Sequence, residues 1–378
     1  MARRVSFLHT KGCLPTRLSI PTAVITLAAF LAAADTCAAQ NADALARAGT
    51  AAIESRRFGD ALKRFTRAAE MRPGDASLCF GAGVSAFMLG QDDLAQSHFE
   101  CALALNPGFL PAAVWLGDLH YRAGRLAEAI SIYETAGRSP GGRELQAQLA
   151  DWRREYELQR RLREIRTPHF TALFEAAGDE PFAREILDRL EAAYWRIGKA
   201  LGVYPSRPIG VVLYTREQFV EVTRLAPWSA AAFDGRIRLP LAGAPYAPED
   251  LDRVLSHEFV HVVVAAVGGR TVPAWMNEGL ATMLEPAGPG DMEAMLARTP
   301  MLPALSTLHR SFVGLSTRDA EIAYGSAVRA TRRLIQQRGM VALVALLQDL
   351  ARGAPFADAF ERRIAMRYQE FASLLSRD

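Results

Sequence analysis

The chain has 378 residues, half of them hydrophobic and 22% charged, a globular composition long enough for two domains. Its formal charge of +3 falls to zero without residues 1–39, which carry Arg3, Arg4, Lys11 and Arg17 against Asp35. A neutral chain has no electrostatic footprint for nucleic acid or an anionic membrane surface, so those partners are excluded.

The first residues read as an export signal. A basic stretch, MARRVSFLHTKGCLPTR, precedes the apolar run LSIPTAVITLAAFLAAA and the small residues of CAAQ. Residues 1–39 are therefore expected to be a signal peptide, cut after Ala39 or, alternatively, after Ala34. The mature chain is then periplasmic or secreted and has no membrane span. An uncleaved N-terminal membrane anchor is the competing reading, because the run is nearly long enough to span. Ser19, Pro21, Thr22 and Thr26 weaken it as a span. Asp35 and Thr36 are poor residues to precede a lipidated Cys37.

Residues 40–142 repeat with a period of 34. Pro73 and Pro107 share a register, as do Gly49, Gly83 and Gly117, and Ala61, Ala95 and Ala129. Phe65, Phe99 and Tyr133 follow the same period, and so do Gly90 and Gly124. A helix, turn, helix unit with small residues where helices cross is the signature of a solenoid. The pattern resembles tetratricopeptide repeats (TPR), three units with a capping helix from Gly142 to about Arg166. The resemblance implies a groove that binds a protein or peptide partner. Contacts in such arrays run between neighbours, so few are expected to cross into the second half of the chain, and residues 138–168 should be a protease-sensitive link.

Cys79 and Cys101 remain after signal removal. In the repeat register one lies near the start of a helix and the other well into its antiparallel partner. Levels offset in this way put the Cα atoms beyond the reach of a disulfide, and no pairing is expected.

Residues 143–167 close the solenoid and lead, near Arg166–Thr167–Pro168, to a second domain over 168–378. HFTALFEA (169–176) and PIGVVLY (208–214) are strand-like, and FDGRIRLPL (233–241) alternates its side chains. DEPFAREILDRLEAAYWRIGKALG (179–202) has helical periodicity, and the chain after Pro248 reads as helical. This predicts an α+β domain behind an α-helical solenoid.

Within LDRVLSHEFVHVVVAAVGG (251–269), Pro248, Glu249 and Asp250 suit a helix start, and Gly268–Gly269 its end. His257 and His261 then project from one face a turn apart, as two corners of a tetrahedral zinc site require. Glu258 is rotated about 100° from His257, beside the metal, where it can take a proton from water. In VPAWMNEGLATMLE (272–285), Pro273 can open a second helix that brings Glu278 to the metal as third ligand, leaving one position open.

The set His257, Glu258, His261 and Glu278 resembles the gluzincins, zinc metallopeptidases with a glutamate third ligand, and NEGLA after HExxH resembles their peptidase-MA-like group. The resemblance covers about 168–370. It implies a zincin-like metallopeptidase fold, bound Zn2+, a peptide or protein substrate, and Glu258 as general base. It also implies that Gly235 to Pro240 offers main-chain hydrogen bonds to an extended peptide, against the plainer reading of an ordinary sheet edge. A proton donor to the oxyanion is expected from a later element. Tyr324, in EIAYGSAVRATRRLI, is the first candidate and His309 the second. One departure stands out: thermolysin-like enzymes have an aspartate four residues after the third ligand, and this chain has Thr282. Asp252, Glu285 or a backbone carbonyl must then orient the imidazoles.

Two functions are consistent with these residues. One is a zinc peptidase with Glu258 and Tyr324 as its catalytic side chains. The other is a non-catalytic TPR scaffold carrying a degenerate zincin domain. Glu258 does nothing for metal binding itself, and its presence favours the enzyme.

Overall fold

The 34-residue period folds as antiparallel helix pairs. The computed structural model describes residues 40–224, 231–241, 248–288, 290, 292–299, 302–312 and 314–375, so the signal-like segment lies outside it. Helix α1 (40–54) pairs with α2 (Phe58–Met71), α3 (Ala76–Met88) with α4 (Asp92–Leu105), and α5 (Leu110–Arg122) with α6 (Leu126–Ala136). A large ring meets a glycine in each pair: Phe65 against Gly49, Phe99 against Gly83, Tyr133 against Gly117. In each case a Cβ on the glycine would collide with the ring, so the helices cross closely because the sequence leaves that atom out. Arg56, Gly90 and Gly124, spaced 34 apart, all turn with positive φ (56°, 76° and 77°).

Cys79 and Cys101 are bonded, with Cα atoms 6.0 Å apart, contrary to the expectation from their helix positions. Gly90 lies midway through their 22-residue separation. In an antiparallel pair folded at that turn, residues equidistant from it stand at the same level. Counting from the helix start, rather than the turn, caused the error.

The expected capping helix is shorter than 142–166. A 3-10 turn (Gly142–Leu145) leads into α7 (Gln146–Gln159), and Arg163–Arg166 form strand β1, paired antiparallel with β2 (Phe170–Phe174). Strand β3 (Ile209–Tyr214) lies parallel to both β2 and β5 (Ile237–Pro240), and β4 (Ala232–Phe233) closes the sheet antiparallel to β5. The order is β1-β2-β3-β5-β4.

One face of the sheet, through Phe170, Ala172, Val211, Leu213, Ile237 and Leu239, joins a single core with α8 (Glu180–Leu201) and α10 (Pro248–Gly268). On the other face Val212 and Tyr214 pack with Phe219 of α9 (Arg216–Thr223) and with Leu158 at the end of the solenoid. All four residues of β5 are therefore buried, where alternation had predicted one wet face. Gly235–Pro240 was also expected to be a free edge. It is instead a turn and an inner strand, with β4 covering Ile237 and Arg238. Helices α11 (Ala274–Met283), α12 (Met292–Ala297), α13 (Thr317–Ala351, broken at Gly339), α14 (Phe356–Ile364) and α15 (Tyr368–Leu375) complete the chain.

The solenoid docks along the edge formed by its three intra-repeat turns. Gly59 abuts Gly353, Gly90 abuts Gly269, and Gly124 abuts the Arg236 side chain. Arg270 binds the second repeat several ways at once. Its backbone N–H donates to Met88 O at 3.1 Å, and its guanidinium to Phe87 O at 2.8 Å and to both Asp92 oxygens at 2.6 and 3.0 Å. It also lies 3.9 Å from the centre of the Phe87 ring. Deeper in, Glu155 of α7 accepts from Tyr121 (2.8 Å), Tyr214 (3.0 Å), Arg236 (3.2 Å) and Arg238 (2.6 Å), all buried or nearly so. A buried carboxylate so shared is costly to disturb, since deleting one member of such a pair typically loses about 3–5 kcal/mol. The boundary between the two parts is thus crossed at turn glycines, at Arg270 and at this buried charge cluster.

Candidate metal centre

Helix α10 carries acidic Glu249 and Asp250 in its first turn, complementing the positive end of its dipole, and Gly269 leaves it with φ of +66°. His257 and His261 leave one face, with ring centres 4.8 Å apart. Pro273 caps α11, its carbonyl accepting from the Met276 and Asn277 N–H groups, and the helix directs Glu278 back at the imidazoles. Glu278 Oε2 lies 3.4 Å from His257 Nε2 and 3.6 Å from His261 Nε2.

These three donors all fall within 4.8 Å of one another and could hold a metal ion. With metal–ligand bonds of about 2.0–2.1 Å, the edge of a coordination tetrahedron is about 3.4 Å. Both carboxylate–imidazole separations match that edge more closely than they match hydrogen bonds. Glu278 Oε2 is also buried without a hydrogen-bond partner among the described residues. A shielded, unsatisfied acceptor between two imidazole nitrogens is the arrangement a cation relieves.

The outer nitrogens are fixed as well. His257 Nδ1 donates to Glu285 Oε1 at 2.9 Å, and His261 Nδ1 donates to Asn277 Oδ1 at 3.1 Å. Acceptors at both Nδ1 atoms place a proton there, so that each Nε2 faces Glu278 and is the nitrogen that a metal would take in place of a proton. Arg196 of α8 ties the frame together, donating to Leu284 O and Ser256 Oγ, each at 2.7 Å. Burial works against a charge on His257, but Glu278 and Glu285 outweigh it and hold its pKa up at about 10. The pocket is electrostatically set for a cation.

Glu258 is buried next to His257, and both line a cleft of about 800 Å³ together with Tyr324, Met292, Met295 and Leu315. Burial raises the Glu258 carboxyl above its ordinary range, although His261 and His257 pull it down. The Tyr324 ring centre is 6.5 Å from that of His257, on the wall of the same cleft. Burial, then the Glu278 charge, push the phenol well up, so it remains a donor at neutral pH.

All five residues named from the sequence thus meet at one place. His309 does not join them: its Nε2 lies 2.6 Å from the Tyr368 hydroxyl in a separate aromatic cluster. Of the orienting groups proposed, Glu285 serves His257, whereas Asp252 pairs with Arg189 at 2.7 Å. Asn277 and Arg196 were missed. Asn277 had a usable signal, an amide adjacent to the third ligand at the start of α11.

Residues 46–108 and 86–150 each match a family model of the tetratricopeptide repeat, which suggests protein binding by this half. No curated protein matches the chain. Both family matches end by residue 150, and the centre at His257 lies beyond them. Residues 46–150 form a helical repeat region consistent with a TPR solenoid, followed by helices around a small sheet.

Proposed function

We propose that the protein is a zinc-dependent peptidase of gluzincin type whose TPR half binds a protein or peptide partner. The observation that carries the reading is the Glu278 Oε2 atom, buried and unbonded at 3.4 and 3.6 Å from two oriented imidazoles. Two neutral imidazoles and a carboxylate are the donor set of a catalytic zinc site. His257, His261 and Glu278 would hold the ion. Bound there, zinc supplies a Lewis acid that polarises a scissile carbonyl and makes water acidic enough to ionise near neutral pH.

The remaining work falls to the chain's own side chains. Glu258, beside the ligands and facing the cleft, takes a proton from the attacking water and delivers it to the leaving amine. Tyr324 presents a phenolic hydrogen toward the charge that develops on the carbonyl oxygen. Methionines at the cleft wall give it an adaptable apolar lining. The Cys79–Cys101 bond supports export to an oxidising compartment, as the leader sequence suggests. No helix among the described residues is long and apolar enough to cross a membrane.

The repeats favour a second reading, a scaffold that binds partners without catalysis. The buried Glu258 argues against it. A carboxylate that ligates nothing has no purpose in a purely structural site, and its burial is costly. Measuring peptide cleavage and zinc content in Glu258→Gln separates the two readings.

A further inference from the structure

The cleft's edge strand is short. Strand β4 is two residues long, ends the sheet and is registered on β5 only through Ala232–Arg238 and Phe233–Ile237. Ala231, the residue before it, lines the cleft with His257 and Glu258. So short a strand has little stability of its own and takes its place from what grips it.

Ala231 and Phe233 pack on the core, and the turn that follows the strand is gripped by the solenoid. Arg122, ending α5, donates to Asp234 O at 3.3 Å in the turn between β4 and β5. Gly235 sits there with φ of +118°, against the Arg122 carbonyl, where a Cβ would not fit. The Asp234 carboxylate accepts from Arg238 Nε at 2.8 Å, and Arg238 Nη1 reaches Glu155 of α7 at 2.6 Å. Arg238 and Glu155 are buried, so their ion pair is shielded from water and salt, whereas Asp234 is partly exposed.

We propose that Glu155 is a positioning residue for the cleft: acting through Arg238 and Asp234, it fixes the β4–β5 hairpin where an extended peptide can pair with the outer strand. The substrate part rests on the peptidase reading, whereas the hairpin part does not. The solenoid would then be a working wall of the catalytic half as well as a binding module. Pairing along an edge strand supplies main-chain hydrogen bonds, so loss of the strand's position should weaken substrate binding more than the chemical step.

The test uses full-length Glu155→Gln, in which shape is kept and the charge removed. Amides of residues 231–241 should exchange with deuterium about tenfold faster, with the amides of α10 and the zinc content unchanged. For a decapeptide substrate chosen from a mixed library, KM should rise about tenfold while kcat stays nearly constant. Tyr121→Phe removes one hydroxyl from the same cluster, and should shift both readouts the same way by less, even if Glu155→Gln does not fold. Unchanged hairpin exchange in a folded variant overturns the proposal, as does a rise shared equally by α10. If the wild type cleaves no peptide, the peptidase reading fails, and the exchange data alone still decide whether Glu155 positions the hairpin.

Discussion

Glu285 Oε1 lies 2.9 Å from His257 Nδ1, on the side of the ring away from Glu278. The carboxylate thus fixes the ring's direction and tautomer without occupying a ligand position, and Asn277 does the same for His261. Orienting partners of this kind are typically worth about 10–100-fold in metal affinity. Glu285→Gln and Asn277→Ala should each weaken zinc binding within that range, measured by competition with a chelator, while the fold persists. Unchanged affinity in both would mean the rings are held by packing alone.

Tyr324 lines the cleft with His257 and Glu258. Removing one donor to an oxyanion typically costs about 100- to 1,000-fold in turnover. Tyr324→Phe should lower kcat by that order with KM and zinc content nearly unchanged, because the lost interaction is made mainly in the transition state. A variant with normal kcat would reduce Tyr324 to a cleft wall.

The two halves should not come apart intact. A 168–378 fragment lacks β1 and Glu155, leaving Arg236 and Arg238 without the carboxylate they share. Removing the solenoid also uncovers the sheet face of Val212 and Tyr214 on which Leu158 and Leu162 pack, and marginal domains tolerate such apolar exposure poorly. Limited proteolysis should give no long-lived 168–378 species, and the fragment expressed alone should be unfolded or aggregated. A soluble fragment with a cooperative melt would contradict the docked arrangement.

Asp349 gives a pH signature at the junction of α13 and α14. Hydrogen bonds from Arg363 lead in holding its carboxyl below the usual range; burial opposes them, and Arg362 adds to the lowering. A depressed folded pKa contributes stability that is present above the unfolded value of about 3.9 and is lost as pH falls through the folded value. Asp349→Asn should therefore melt lower than wild type at pH 7 and pH 5, with the gap closing below about pH 4. A gap independent of pH would assign the effect to packing.

Local periodicity made the solenoid and the helix of His257 and His261 legible. Gly83 and Phe99, or His257 and His261, are related by spacing along one or two helices, and spacing is what a sequence displays. Glu285 and Asn277 depend on the angle at which α11 crosses α10, which spacing does not carry. Cys79 and Cys101 were misplaced because helix ends, rather than the turn between them, were taken as the reference. The docking surface left no pattern either. Its contacts come from single glycines at turns and from arginines that read as solvated charge until Glu155 is seen opposite them. Burial of β5 on both faces follows from that docking, and so could not be read from the alternation in FDGRIRLPL.

The most direct test of the account is Glu258→Gln in the otherwise intact chain, assayed together for bound zinc and for cleavage of a mixed peptide library. Glu258 touches the cleft but is not one of the three clustered donors. The account predicts about one zinc per chain, as in wild type, as one three-donor site requires, with cleavage reduced by orders of magnitude. Full cleavage by Glu258→Gln, or a wild-type protein that binds no zinc, would contradict it.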